Sequence, residues 1–263
     1  MATKVNIFII VLIQSFWFPL ISQTKISDLY KKSYEQFKIG KYDDALITNI
    51  SALKLAEKSN SCDQIAFAYL QVGKMQYYNK ERRQALFYFF KSKSLADSCK
   101  IDSIQHIIYH NIGAMYVELR INDSALIFLH KASDILQFTN KFSDISKINA
   151  VIADLHLNNT SDSVEAEKYI LTAEHYAYKS NNKIWIAFAK MKRGILYVRL
   201  KNYHQAIKVF QEALNLYDQL RAIEGRSYAM RLILDMKILL NSNDTREYAS
   251  KYMEIKDSVY RAE

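Results

Sequence analysis

Two histidines four residues apart, His106 and His110 in "HIIYH", are the first side chains whose types and spacing could do chemistry. At i and i+4 on a helix they share one face and could hold a metal between them. No third ligand and no base accompanies them, so they read as ordinary surface or groove histidines, and no metal is expected. The chain also has no Gly-rich phosphate loop, no nucleophile elbow and no HExxH. Neither a catalytic residue nor a cofactor is expected, and the chain reads as a non-enzyme. Cys62 and Cys99 are the only cysteines. They could be oxidised to a disulfide in an exported protein, or remain two loop thiols too far apart to bridge.

Charge narrows the partners little. The net charge is +9, and Lys4 is the only charge in residues 1–22, which leaves +8 for the rest. Lys and Arg are interspersed with acids, and the densest spots, Lys80 to Arg83 and Lys190 to Arg193, are short. They read as solvated helix faces. Nucleic acid is not expected as a partner; binding to it or to an anionic surface is a second alternative, which would show a steep salt dependence.

The N-terminus is a separate object. "MATKVNIFIIVLIQSFWFPLISQTK" has one lysine, an apolar run over 5–20, then small and polar residues, with Asp28 the first acid. That is the layout of an export signal over 1–22. The alternative is an uncleaved inner-membrane anchor over 5–20, although the run is short of the ~20 residues that span comfortably. The expected location is the periplasm, and membrane contact is expected only if this segment stays attached.

The elements that position everything else follow from composition and repetition. Half of the 263 residues are hydrophobic, and there are five glycines and one proline, Pro19. That turn chemistry is too sparse for an all-β fold, and the absence of proline after Pro19 permits long helices. Ala45, Ala85, Ala125, Ala166, Ala206 and Ala249 follow one another at 40, 40, 41, 40 and 43 residues. Seven residues after each stand Ala52, Ser92, Ala132, Ala173, Ala213 and Lys256, and four after each Asn49, Phe89, Leu129, Ile170, Phe210 and Met253. Offsets of 0, 4 and 7 fall on one helical face. Gly73, Gly113 and Gly194 lie twelve residues before Ala85, Ala125 and Ala206, with a polar turn between. The glycine therefore sits on a preceding antiparallel helix and should face the alanine where the two axes cross. A fixed period in this range means a solenoid of helix pairs. The expected helices cover 26–39, 43–58, 63–79, 82–97, 101–119, 122–138, 142–158, 162–179, 182–200, 203–219, 223–241 and 244–261. Cys62 and Cys99 then lie on one edge of a helix pair. Helix axes ~8–10 Å apart are nonetheless wider than the ~7 Å that a bridge tolerates.

These residues resemble the tetratricopeptide repeat. Gly194, Tyr197, Ala206, Phe210 and Ala213 match its order of small, aromatic, Ala, large apolar and Ala; Gly113, Tyr116, Ala125, Leu129 and Ala132 match it again. The resemblance covers about 26–261 in six units. It departs from the family in its period of about 40 rather than ~34 residues, and in lacking the proline that usually follows the second helix. Asn49 and Lys256 break the pattern in the terminal units, where a solenoid is expected to turn polar. The ending "REYASKYMEIKDSVYRAE" is similar to the last repeat of exported repeat proteins of Bacteroidetes, often followed by a sensor kinase or helix-turn-helix. Only the input half of such a protein has a counterpart in these 263 residues.

The resemblance implies an all-α, right-handed solenoid over 26–263 that binds a peptide or protein in a concave groove, or the periplasmic input region of a signalling regulator. Carried over residue by residue, its groove positions are Tyr30, Lys31, Tyr34, Phe37 and Lys38; Leu70, Gln71, Lys74, Tyr77 and Tyr78; His110, Asn111, Ala114, Val117 and Glu118; and Met191, Lys192, Ile195, Val198 and Arg199. Such a wall suits a partner with acidic and apolar groups. Reversing Lys74 and Lys192 together is expected to weaken that partner without changing stability. Of the family's peptide-carboxylate clamp only Asn111 matches, so that activity is not implied.

Overall fold

Positive φ angles recur every 20 residues. They occur at Gly40, Asn60, Lys80, Lys100 and Arg120, and again at Asn181, Lys201, Arg221 and Asn241. Each ends a helix with a left-handed residue. At most of them the next amide bonds back to a carbonyl five residues earlier, as in Lys41 to Gln36 (3.0 Å), Ile121 to Tyr116 (2.9 Å) and Asn202 to Tyr197 (2.8 Å), whereas after Asn60 and Asn181 it donates to the Ser59 and Ser180 hydroxyls (3.3 Å each). Lysine, arginine and asparagine do at most of these turns what glycine usually does, which is how so many turns form with five glycines. The computed structural model describes residues 24–160 and 162–260, all helix and turn with no strand among them.

The helices are α1 (24–38), α2 (Tyr42–Ser59), α3 (Cys62–Tyr78), α4 (Arg82–Ser98), α5 (Gln105–Glu118), α6 (Asn122–Leu136), α7 (Phe142–Leu155), α8 (Ser163–Lys179), α9 (Lys183–Arg199), α10 (Tyr203–Leu220), α11 (Ile223–Leu239) and α12 (Thr245–Tyr260). Side chains cap several N-termini: Ser61 accepts from the Gln64 amide, Asp162 from Glu165 and Asn182 from Ile184. The sequence-based ranges agree to within a few residues, with two departures. The helix expected from 101 begins as a 3-10 turn, Asp102–Ile104, and the one expected to reach 158 stops at Leu155 and continues as a π-helical turn, His156–Thr160. The expected export segment, 1–22, lies outside the described residues.

Within the repeat region the chain forms two compact units, one up to Ile121 and one from Asn122. In the first, α3 packs on α2 and α4, and α4 on α5; in the second, consecutive helices from α6 to α12 pack in turn, and α7 also touches α9. Ala45, Ala85, Ala125, Ala166 and Ala206 are fully buried. Ala249 is half-exposed and Met253 exposed, so the repeat stripe opens to solvent in the last pair. Asn49 corrects the expectation of a solvated polar end, being only 2% exposed. Hydroxyl groups join the two helices of this pair: Ser33 donates to the Ala45 carbonyl (3.2 Å) and Thr48 to the Gln36 amide oxygen (2.8 Å). Ser92, at the second small position, likewise donates to the Ala66 carbonyl (2.7 Å) of its own pair's first helix.

The glycines do something other than let backbones meet at an alanine. A Cβ on Gly194 would stand 2.2 Å from the Phe210 ring, and one on Gly73 2.7 Å from Phe89 and 3.3 Å from the Ala85 carbonyl oxygen. The glycine is a slot for the large residue four positions after the alanine, and Phe89 and Phe210 are almost wholly buried in these slots. Gly225, outside the repeat register, makes the same space for Tyr217 at 2.6 Å. Gly194→Ala should therefore overpack the α9/α10 contact and destabilise by ~1–3 kcal/mol. A denaturant midpoint equal to that of the wild type would remove the slot as an explanation.

Candidate functional site

In the second unit the first helices of three successive pairs, α7, α9 and α11, border a cavity of about 220 Å³. Asp154 and Asn158 line it from α7 and the π-turn, Lys192, Ile195 and Val198 from α9, Phe210 from α10, and Tyr228, Leu232 and Met236 from α11. Its chemistry departs from the repeat at one register. Asp154 lies 40 residues before Gly194 and twelve before Ala166, in the place that Ser33, Gly73, Gly113 and Gly194 fill with a small residue. A carboxylate in a core register needs a counter-charge. Lys192 supplies it, its Nζ donating to Asp154 Oδ2. The Lys192 side chain is 9% exposed against 30% for Asp154, and its ammonium also lies 4.7 Å from the Phe188 ring centroid. A buried ion pair stabilises little against an apolar alternative, and three other repeats hold glycine at this register. The pair is thus a local departure from the repeat pattern. The π-turn widens the chain just beyond Asp154 and presents Asn158, whose Oδ1 accepts from Arg199 Nη2 (3.2 Å).

A second charged set staples α9 from other sides. Lys190 pairs with Glu212 (2.6 Å) and Arg193 with Glu174. Burial pushes the Glu174 carboxyl above the usual range, against the opposing pull of Arg193.

The expected groove residues divide sharply. Lys192, Ile195 and Val198 come together on the cavity, with Arg199 beside it through Asn158. Met191 and Leu70 are corrections: both are buried in the core, because they lie one helical step round from the open face. Lys192 is a correction of another kind. It is not an accessible cation for an acidic partner, and reversing its charge would set two carboxylates against each other.

In the first unit the set is largely self-packed. Tyr30 sits edge-on to Phe67 at 5.1 Å, and burial raises its hydroxyl pKa. Phe37 and Tyr42 pack on Tyr78 at 4.6 and 5.6 Å. Tyr77 is pushed up to about 12, by burial first and then by its hydrogen bond to Glu118, which also pairs with Arg82 (2.9 Å). Tyr34 is 59% exposed, with the Lys38 ammonium 5.4 Å from its ring, and Lys31 is exposed. Gln71, Lys74, His110, Asn111, Ala114 and Val117 are half-buried, and Asn111 bonds the Ile107 carbonyl of its own helix (2.7 Å). His106 is buried, and among the described residues no group of three or more His, Cys, Asp or Glu is placed to hold a metal ion. Cys62 and Cys99 are disulfide-bonded, with Cα atoms 6.3 Å apart. They sit where the ends of α3 and α4 converge, closer than the mean axis separation suggests.

The resemblance supplies no site residue on α7 or α11. Asp154, Asn158, Tyr228, Leu232 and Met236 go unnoticed, although the acid at a glycine register was a readable signal.

No family model matches the sequence, and no curated protein matches it. Among solved structures, aspartyl phosphate phosphatase F from Bacillus subtilis is 12% identical, with a TM-score of 0.71 over 89% of this chain and 60% of its own. A signal-transduction ATPase from Pyrococcus horikoshii with a tetratricopeptide repeat sensor is 16% identical, with a TM-score of 0.74 over 98% of this chain and 42% of its own. The Rap conjugation gene regulator of plasmid pLS20, solved with the Phr* peptide, is 15% identical, with a TM-score of 0.69 over 90% of this chain and 63% of its own. The chain therefore spans less than two thirds of each of these proteins. At such identities the likeness is one of fold, and it agrees with the residue register and the helix pairs: by fold, the chain is an all-α repeat protein of the tetratricopeptide type.

Proposed function

We propose that the chain is a non-catalytic scaffold that binds a peptide or protein partner, with the α7/α9/α11 cavity as its anchor point. The observation that carries this reading is the Asp154–Lys192 pair, set beside a largely apolar cavity at a register that four of the other five repeats fill with a small residue. A buried polar group among apolar walls is the usual make-up of a specific binding pocket. The Rap regulator solved with its peptide supports a peptide as the kind of partner. The two regulatory proteins among the similar structures favour, as a second reading, the input region of a signalling regulator. Export to the periplasm belongs to the proposal, supported by the apolar N-terminal run and the Cys62–Cys99 disulfide. No described helix is long and apolar enough to cross a membrane.

The test is cross-linked capture from the native cell envelope with the wild type and with Leu232→Trp, which fills the cavity and leaves the ion pair in place. A protein captured by the wild type and lost with the variant is the expected result. Identical capture by both would place binding elsewhere and end this reading.

A further inference from the structure

We infer that the cavity takes one long side chain of the partner with an aliphatic stem and a cationic tip, a lysine or an arginine. This rests on the binding reading above and deepens it. Three features of the cavity select that chemistry.

The first is size. About 220 Å³ lies below the ~300–1,000 Å³ of pockets that hold whole small molecules, and suits a single inserted side chain. The second is the wall: Ile195, Val198, Leu232 and Met236 offer only apolar surface, which matches a run of methylenes. The third is the polar end. Lys192 is spent, since its ammonium bonds Asp154 Oδ2, lies against the Phe188 ring and is almost buried. Asp154 is the more exposed partner. Its second oxygen, Oδ1, accepts no hydrogen bond among the described residues. Asn158 and Tyr228 add neutral polar groups to the lining, so the charge that the lining leaves to be completed is the acceptor on Asp154, and the group that completes it is a donor carrying positive charge. The acidic partner expected from the lysines among the groove positions does not fit this end of the groove.

Side-chain surrogates test this without the natural partner. n-Butylammonium and n-butylguanidinium are titrated into the folded chain beside n-pentanoate and 1-pentanol, following the methyl resonances of Ile195, Val198 and Leu232. The two cations should give saturable shifts at these methyls, and pentanoate should not. Asp154→Asn combined with Lys192→Gln removes both charges together and should weaken the cations at least about tenfold, while Leu232→Trp should abolish their shifts. Pentanoate binding as well as the cations, cation binding unchanged in the double variant, or no shift with any probe would each overturn the assignment. If capture of the natural partner is still lost with Leu232→Trp, the groove reading survives and only the cationic side chain falls.

Discussion

Replacing Cys62 and Cys99 together by serine is expected to lower the free energy of unfolding by about 4 kcal/mol. The bond closes a segment with a sequence separation of 37, and a loop of that length removes roughly this much conformational freedom from the unfolded chain. The effect belongs to the first unit, because α3 and α4 are its central pair and every α3/α4 contact, including the Gly73 slot for Phe89, benefits from the restraint. Guanidinium unfolding of wild type, reduced wild type and the serine variant measures it. Reduced wild type and the variant should coincide at a lower midpoint, and the variant should ignore reductant. Three superimposed curves would mean that the bridge contributes nothing.

Lys192→Met should be the most damaging single change in the second unit. It leaves Asp154 facing an apolar cavity with its counter-charge gone. Breaking such a pair costs ~3–5 kcal/mol when both groups are fully buried. The 30% exposure of Asp154 lets water recover part of that, so a loss of about 2–3 kcal/mol is expected. Pairing the change with Asp154→Leu should restore most of the stability, since apolar residues of similar volume replace a buried ion pair at little cost. The comparison is a double-mutant cycle in denaturant. Two losses that simply add would show that Asp154 and Lys192 are not coupled. The cycle also separates stability from binding: the apolar double variant should fold well and fail to hold a cationic side chain.

Much of the fold was readable because repetition multiplies weak local signals. One alanine with a small residue seven positions on says little, but Ala45 to Ala206 in phase, with glycines twelve residues earlier, leave only a helix-pair repeat. The turns were visible as polar breaks, though not their shared geometry. Lys80, Lys201 and Arg221 carry no glycine label, and their left-handed conformation emerges only when a helix must end and reverse.

What the sequence determined by itself was the register, the helix pairing and the class of protein, because these depend on residue type at fixed offsets along one chain. The tertiary structure alone decided what each register contacts. It set Phe210, not Ala206, against Gly194, buried Asn49, and brought Cys62 within bonding reach of Cys99. It also turned Lys192 from a groove cation into the partner of Asp154, 38 residues away. That last contact joins two helices across an intervening pair member, and its energy is the attraction of two charges set against their desolvation. No offset within a single repeat records such a term, so the site could be read only once α7, α9 and α11 stood side by side.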